Sequence, residues 1–169
     1  MGNGKDQGYL AEIAMALQEA KPRTLLAIGP QANEVFADYA QANPELTLSH
    51  WATGDWLDQV SHTERFDFVF ISGALEFLPK RVASMLLASL RDVHAKQLYV
   101  LAPIGKAWLN HTSLWEYNDL TSLGMERVDV YAKNGLPLAL LKFDLRTYKT
   151  TPEWLNSKYW ARPELWDKH

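Results

Sequence analysis

The stretch Phe66-Asp67-Phe68-Val69-Phe70-Ile71-Ser72-Gly73-Ala74-Leu75-Glu76-Phe77-Leu78-Pro79 constrains the fold more than any other part of the chain. Its first residues are apolar on both faces of an extended segment, a pattern suited to a central strand covered by helices on either side. The run stops at Ser72-Gly73 and passes through Leu-Glu-Phe-Leu-Pro into a helical pattern. Ligand crevices open at such strand-to-helix passages in open α/β sheets.

Around this strand the pattern alternates. Leu10, Ile13, Ala14 and Leu17 follow helical spacing between Gly8 and Lys21, and Pro22 ends the run. Thr24 to Ile28 reads as a short buried strand broken at Gly29-Pro30. Val35, Phe36 and Tyr39 then mark one face of a helix closed by Pro44. Leu46 to Trp51 is expected as a strand, Trp56 to Val60 as a weak helix or turn, Lys80 to His94 as a helix opened by Pro79, and Leu98 to Ala102 as another buried strand. After Pro103 comes a loop with Trp108, His111 and Trp115, then a short helix around Asn118 to Leu123 that Gly124 suits as a terminator. Glu126 to Lys133 and Leu138 to Thr147 are two strand patterns joined by Asn134-Gly135, a strong hairpin signal, so the last two strands should be antiparallel. The expected fold is α/β: a Rossmann-like, mostly parallel sheet with a C-terminal antiparallel hairpin and helices on both faces, formed by residues 1–149 as a single domain.

Composition narrows the function classes. A chain of 169 residues, 47% hydrophobic, has room for one substantial core. Its net charge of -3 gives no electrostatic reason to expect nucleic acid as a partner, because duplex binding draws on a dense Lys/Arg surface. Cysteine is absent, which removes disulfides, thiolate metal sites and a cysteine nucleophile. His50, His62 and His94 have no partners at metal-ligand spacing, so no metal is assigned. No apolar run approaches the ~20 residues needed to cross a bilayer, Met1 to Asp6 lacks a signal-peptide core, and Asp6 spoils a myristoylation start at Gly2. A cytoplasmic protein with no membrane partner is the expectation.

Three segments in order resemble the class I S-adenosylmethionine-dependent methyltransferases. They are Gly54-Asp55 followed by Phe66-Asp67-Phe68-Val69; Ser72 to Pro79, similar to a Val-Leu-Glu-His-Leu-Pro signature; and Asn110-His111 through Trp115, Asp119-Leu120 and Leu123-Gly124-Met125. The likeness spans about Thr24 to Thr147. It implies a parallel sheet with a final inserted antiparallel strand, S-adenosylmethionine as cofactor and a small-molecule substrate. It further implies that Gly29, Asp55, Ser72 and Glu76 line the cofactor crevice, and that Trp108, Trp115 and Tyr117 face the acceptor with His111. His111 is the candidate general base, being the one side chain of that loop that titrates near neutrality.

The departures are as specific as the likeness. The family's first motif is a strand, an acidic residue and a Gly-x-Gly-x-Gly turn; here Ala27-Ile28-Gly29-Pro30-Gln31-Ala32-Asn33 keeps only the first glycine, and Ala27 replaces the acid. The second strand ends in Ser49-His50-Trp51 where a carboxylate should hold the ribose. Gly29 to Asp55 is too short for two strand-helix units, so the topology should be abbreviated. Each site residue also has a plain structural reading: Gly29 as a turn before proline, Asp55 as a turn or cap, Glu76 as a first-turn acid, His111 as a surface or hydrogen-bonding residue. A catalytically inactive binding or assembly module on the same scaffold therefore stands as the alternative to an enzyme. A nicotinamide-dependent oxidoreductase ranks below both, because Gly-x-Gly-x-x-Gly is missing.

Residues 150–169 form an aromatic arm with Trp154, Trp160 and Trp166 at six-residue steps. That spacing does not keep one helical face and Pro163 breaks helix, so the arm is expected to drape over a surface. The surface is either this domain's own or that of a protein partner or second subunit of a homo-oligomer.

Overall fold

The structure is a computed structural model that describes residues 8–51 and 65–145. Asp55 and its neighbour Gly54, the segment Trp56 to Val60, His62 and the arm tryptophans Trp154, Trp160 and Trp166 lie outside the described residues.

Helix α1 (Tyr9–Ala20) precedes strand β1 (Thr24–Ile28), helix α2 (Pro30–Ala42) and strand β2 (Thr47–Trp51). Strand β3 (Phe66–Ser72) leads through a single 3-10 turn (Leu75–Phe77) into helix α3 (Lys80–Ser89), then a wider π turn (Leu90–His94) and strand β4 (Ala95–Pro103). A short helix, α4 (Tyr117–Thr121), and the strands β5 (Glu126–Lys133) and β6 (Leu136–Asp144) complete the fold. The six strands form one sheet in the order β2-β1-β3-β4-β6-β5. The pairs among β2, β1, β3 and β4 are parallel, and β6 runs antiparallel between β4 and β5. The final strand is thus inserted, and beyond β1 a single strand, β2, extends the sheet among the described residues.

Strand periodicity of two divides the core into two layers. Val69, Ile71, Leu98 and Val100 point to the side covered by α3 and α4, while Phe68, Phe70, Tyr99 and Leu101 point to the side covered by α1 and α2. Phe68 stacks on Tyr99 at 5.1 Å and meets Phe36 of α2 edge-on at 5.8 Å. Burial on both faces explains why β3 and β4 lack polar alternation. The hairpin turn has φ of 55° at Asn134 and 80° at Gly135, the pair of positive values a two-residue turn needs to match strand twist.

Two of the boundaries that differ from expectation have a visible cause. Strand β4 begins at Ala95 rather than Leu98, because the polar residues at its start have partners: Lys96 reaches Asp67 at 3.1 Å and Gln97 donates to Asp144 at 3.2 Å. The helix expected to reach His94 widens after Ser89 into the π turn, which delivers the chain to β4 without a loop. No helix among the described residues is long and apolar enough to cross a membrane.

Candidate functional site

From β1 the chain steps outward to β2, and from β3 it steps the other way to β4, so the crossovers diverge between β1 and β3. A crevice is expected outside the carboxyl ends of these two strands. One of about 420 Å³ lies there. Ser72 and Gly73 form its floor, Gln31 comes from the first turn of α2, Glu76 and Phe77 come from the 3-10 turn, and Trp108 and His111 come from the loop after β4. Lys133 and Asn134 close the far rim from the hairpin, and Tyr9 enters from α1. A neighbouring cavity of about 490 Å³ between α1 and α2 shares Tyr9, Gln31 and Glu34 with the crevice.

Gly29 shapes the floor from below. It adopts φ 97°, and a Cβ added there would lie 2.0 Å from the carbonyl oxygen of Ser72. The end of β1 and the end of β3 touch through this glycine, so its identity follows from backbone contact and it is not among the crevice-lining residues. The next side chain, Gln31, lies over the floor: Ser72 Oγ donates to Gln31 Oε1 at 3.0 Å, and a Cβ on Gly73 would meet the same oxygen at 2.8 Å. The side chain that replaces the motif's second glycine therefore occupies the strand-end space directly.

The loop carrying His111 is strapped to the 3-10 turn. Thr112 and Ser113 donate their backbone N–H groups to the Glu76 carbonyl at 2.7 and 3.1 Å. Ser113 Oγ donates to the Leu75 carbonyl at 3.0 Å and accepts from Trp115 Nε1 at 2.8 Å. His111 stacks on Trp108 with ring centroids 5.4 Å apart and meets the Phe77 ring edge-on at 5.5 Å. Trp108 is itself held by a 3.0 Å bond from its Nε1 to the Ile104 carbonyl.

Ser72, Glu76, Trp108 and His111 come together in the crevice. Trp115 and Tyr117 do not, which corrects the expectation that they face an acceptor. Trp115 is fully buried in the core beneath α3, its backbone bridged to Ile104, and Tyr117 lies under the Arg127 guanidinium at 4.3 Å. An aromatic residue in a loop carries no directional signal in sequence, so core and crevice tryptophans read alike. Tyr9 and Lys133 were not singled out. Lys133 is the last residue before the Asn-Gly turn, and an inserted antiparallel strand brings that turn to the carboxyl rim. No sequence signal pointed to Tyr9.

Two polar atoms of the site are buried without a hydrogen-bond partner, Glu76 Oε1 and His111 Nδ1. Burial pushes the Glu76 carboxyl above the usual glutamate range, opposed by its own backbone N–H and by Lys133. Burial, reinforced by Lys133, holds His111 below the ordinary histidine value. The described residues contain no group of three acidic or histidine side chains arranged to hold a metal ion.

A raised carboxyl pKa favours folding fully at pH below the unfolded-state value, and the benefit is lost as pH rises through the folded-state value. Glu76→Gln is accordingly expected to be more stable than the parent at pH 7 by about 1 kcal/mol, the penalty for an unsatisfied buried charge. The difference should shrink below pH ~4, where glutamate is protonated in both states. Urea denaturation at the two pH values measures it, and a less stable variant at pH 7 would mean that the carboxylate is paired.

The fold and strand-end crevice define a class: the chain has the class I S-adenosylmethionine-dependent methyltransferase fold. Magnesium protoporphyrin IX methyltransferase (ChlM) from Synechocystis PCC 6803, solved with S-adenosylhomocysteine bound, is similar at TM-score 0.54 and 10% identity, over 80% of this chain and 81% of that one. The N-terminal domain of EvdMO1 with the same ligand is similar at TM-score 0.57 and 13% identity, over 82% of this chain and 84% of that one. An O-methyltransferase family protein from Burkholderia thailandensis is similar at TM-score 0.57 and 12% identity over 82% of this chain, which spans only 55% of that protein. The chain belongs to the family of unknown function DUF6231, matched over residues 7–169. No curated protein matches it.

Proposed function

We propose that this protein binds S-adenosylmethionine in the strand-end crevice and methylates a small molecule. The observation that carries the reading is the crevice itself: about 420 Å³, within the range of small-molecule sites, at the switch point between β1 and β3. Its charge suits a cationic cofactor, since the carboxylates of Glu34 and Glu76 line it against one lysine, Lys133. Ser72 and the edge of β3 form the cofactor side. Glu76 stands where that side meets the loop of His111 and Trp108.

When bound, the cofactor supplies an electrophilic methyl group on a positively charged sulfur. The chain's own residues do the rest. Trp108, stacked on His111, and Phe77, edge-on to it, wall the acceptor side with rings. His111, kept neutral by burial, takes a proton from an acceptor that arrives protonated. Holding nucleophile and methyl in line contributes most of the rate. Gln31 lies over the floor of the crevice, and turning it away from Ser72 to make room for a cofactor would break one neutral hydrogen bond worth about 1 kcal/mol.

A second reading has its own support. Gln31 over the floor, Ala27 in place of the acid and Ser49-His50-Trp51 at the end of β2 all suit a methyltransferase scaffold that has lost its cofactor and serves as a binding module. Thermal unfolding separates the two. S-adenosylmethionine or S-adenosylhomocysteine at 100 times its dissociation constant adds ~2.7 kcal/mol, a rise of roughly 5 to 10 °C for a chain of this length. No shift with either ligand at millimolar concentration favours the cofactor-free module.

A further inference from the structure

We propose that the groups closing the crevice between the 3-10 turn and the His111 loop recognise a primary or secondary ammonium, so that the acceptor is an amine. As a methyl acceptor the ammonium would first give one N–H proton to His111, which frees the nitrogen lone pair for the methyl group as S-adenosylhomocysteine leaves; that assignment rests on the reading above, and the amine site does not.

Two orphaned atoms of one crevice carry the inference. Glu76 is only 8% exposed, it lines the crevice, and its Oε1 has no hydrogen-bond partner. His111 lines the same crevice, and its Nδ1 is likewise buried and unpartnered. Buried polar atoms are ordinarily satisfied, and a ligand that supplies their missing partners removes the cost of leaving them open. The chemistry of the pair selects the ligand. An ionised carboxylate only accepts hydrogen bonds, and a neutral imidazole with its proton on Nε2 accepts at Nδ1. Burial and the neighbouring Lys133 favour the neutral imidazole. Burial alone disfavours the ionised Glu76 carboxylate, and a cation beside Glu76 would offset that cost, so the two acceptors call for a ligand group with at least two N–H donors and a positive charge. A protonated primary or secondary amine meets both conditions. An alcohol offers one donor and no charge, and a quaternary ammonium has the charge without donors.

The surrounding rings agree with this choice. Trp108, Phe77 and Tyr9 line the crevice, and aromatic faces attract cations as well as apolar carbon. An amine on an aromatic or other apolar body is the chemical class that fits.

The test is calorimetric titration of the full chain with 2-phenylethylamine, 2-phenylethanol and (2-phenylethyl)trimethylammonium, each with and without saturating S-adenosylhomocysteine. The primary amine is expected to bind saturably and at least tenfold more tightly than the other two. Glu76→Gln should lose at least tenfold in amine affinity while unfolding cooperatively, which separates loss of the site from loss of the fold. His111→Ala should narrow the preference for the primary over the quaternary ammonium. Equal affinity for alcohol and amine, undiminished amine binding by Glu76→Gln, or competition between amine and S-adenosylhomocysteine would overturn the inference. Competition would place Glu76 on the cofactor. S-adenosylhomocysteine binding without amine binding likewise overturns it and leaves the proposed function standing. Amine binding without S-adenosylhomocysteine binding supports the amine site and removes the methyltransferase reading.

Discussion

Gly29→Ala is expected to lose more than about 3 kcal/mol of stability, enough to leave a chain of ordinary marginal stability partly unfolded at 37 °C. Two costs combine. The φ of 97° is unfavourable for any residue with a Cβ, and the added carbon would sit 2.0 Å from the Ser72 carbonyl oxygen, well inside contact distance. The clashing atom is backbone in a central strand, so no rotamer change relieves it. Relief requires β1 and β3 to separate, although they are paired in register from Leu25 opposite Phe68 to Ile28 opposite Ile71. Guanidinium denaturation followed by far-ultraviolet circular dichroism checks the effect, and a loss below about 1 kcal/mol would mean that the ends of β1 and β3 are not in backbone contact at Gly29. Gln31→Ala, two residues on, should lose only about 1 kcal/mol, the worth of the hydrogen bond it accepts from the buried Ser72 hydroxyl.

The second large effect concerns Trp115. Truncation to alanine is expected to destabilise the protein by about 3 to 5 kcal/mol, the range for removing a fully buried large aromatic side chain. The site should be affected as well as the core. Trp115 Nε1 holds Ser113 Oγ, Ser113 holds the Leu75 carbonyl, and the N–H groups of Thr112 and Ser113 bind the Glu76 carbonyl, so the tryptophan anchors the strap that brings His111 beside Glu76. Amide hydrogen exchange at Thr112 and Ser113 should accelerate in Trp115→Ala more than exchange in β4. Trp115→Phe keeps most of the volume and loses the N–H, so it should lie between alanine and the parent in both stability and exchange. Unchanged exchange in the alanine variant would mean that the strap stands without its anchor.

The sheet was legible because its signals are local. The apolar run from Phe66 to Ile71 marks a central strand by composition alone, and Asn134-Gly135 fixes an antiparallel end by the backbone conformation it demands. What escaped depended on partners distant in sequence. Lys96 and Gln97 look unlike a buried strand until Asp67 and Asp144 stand beside them. The site divides the same way. Glu76 and His111 line one crevice because strand ends and the loops after them gather at the switch point. Trp115 was placed on the wrong side because its inward turn is set by a bridge to Ile104 and a bond to Ser113, neither of which has a sequence signature. Gln31 stands where the motif's second glycine would be, and its bond to Ser72 shows how its side chain is held over the floor.

Titration calorimetry of S-adenosylhomocysteine into the parent chain and into Gln31→Ala addresses the crevice directly. Binding at one site per chain is expected in both, about fivefold tighter in the variant, because the ligand no longer has to break the Gln31–Ser72 hydrogen bond. Heats of dilution alone in both proteins, at ligand concentrations up to the millimolar range, would contradict a cofactor site between β1 and β3 and leave the fold as the scaffold of a binding protein.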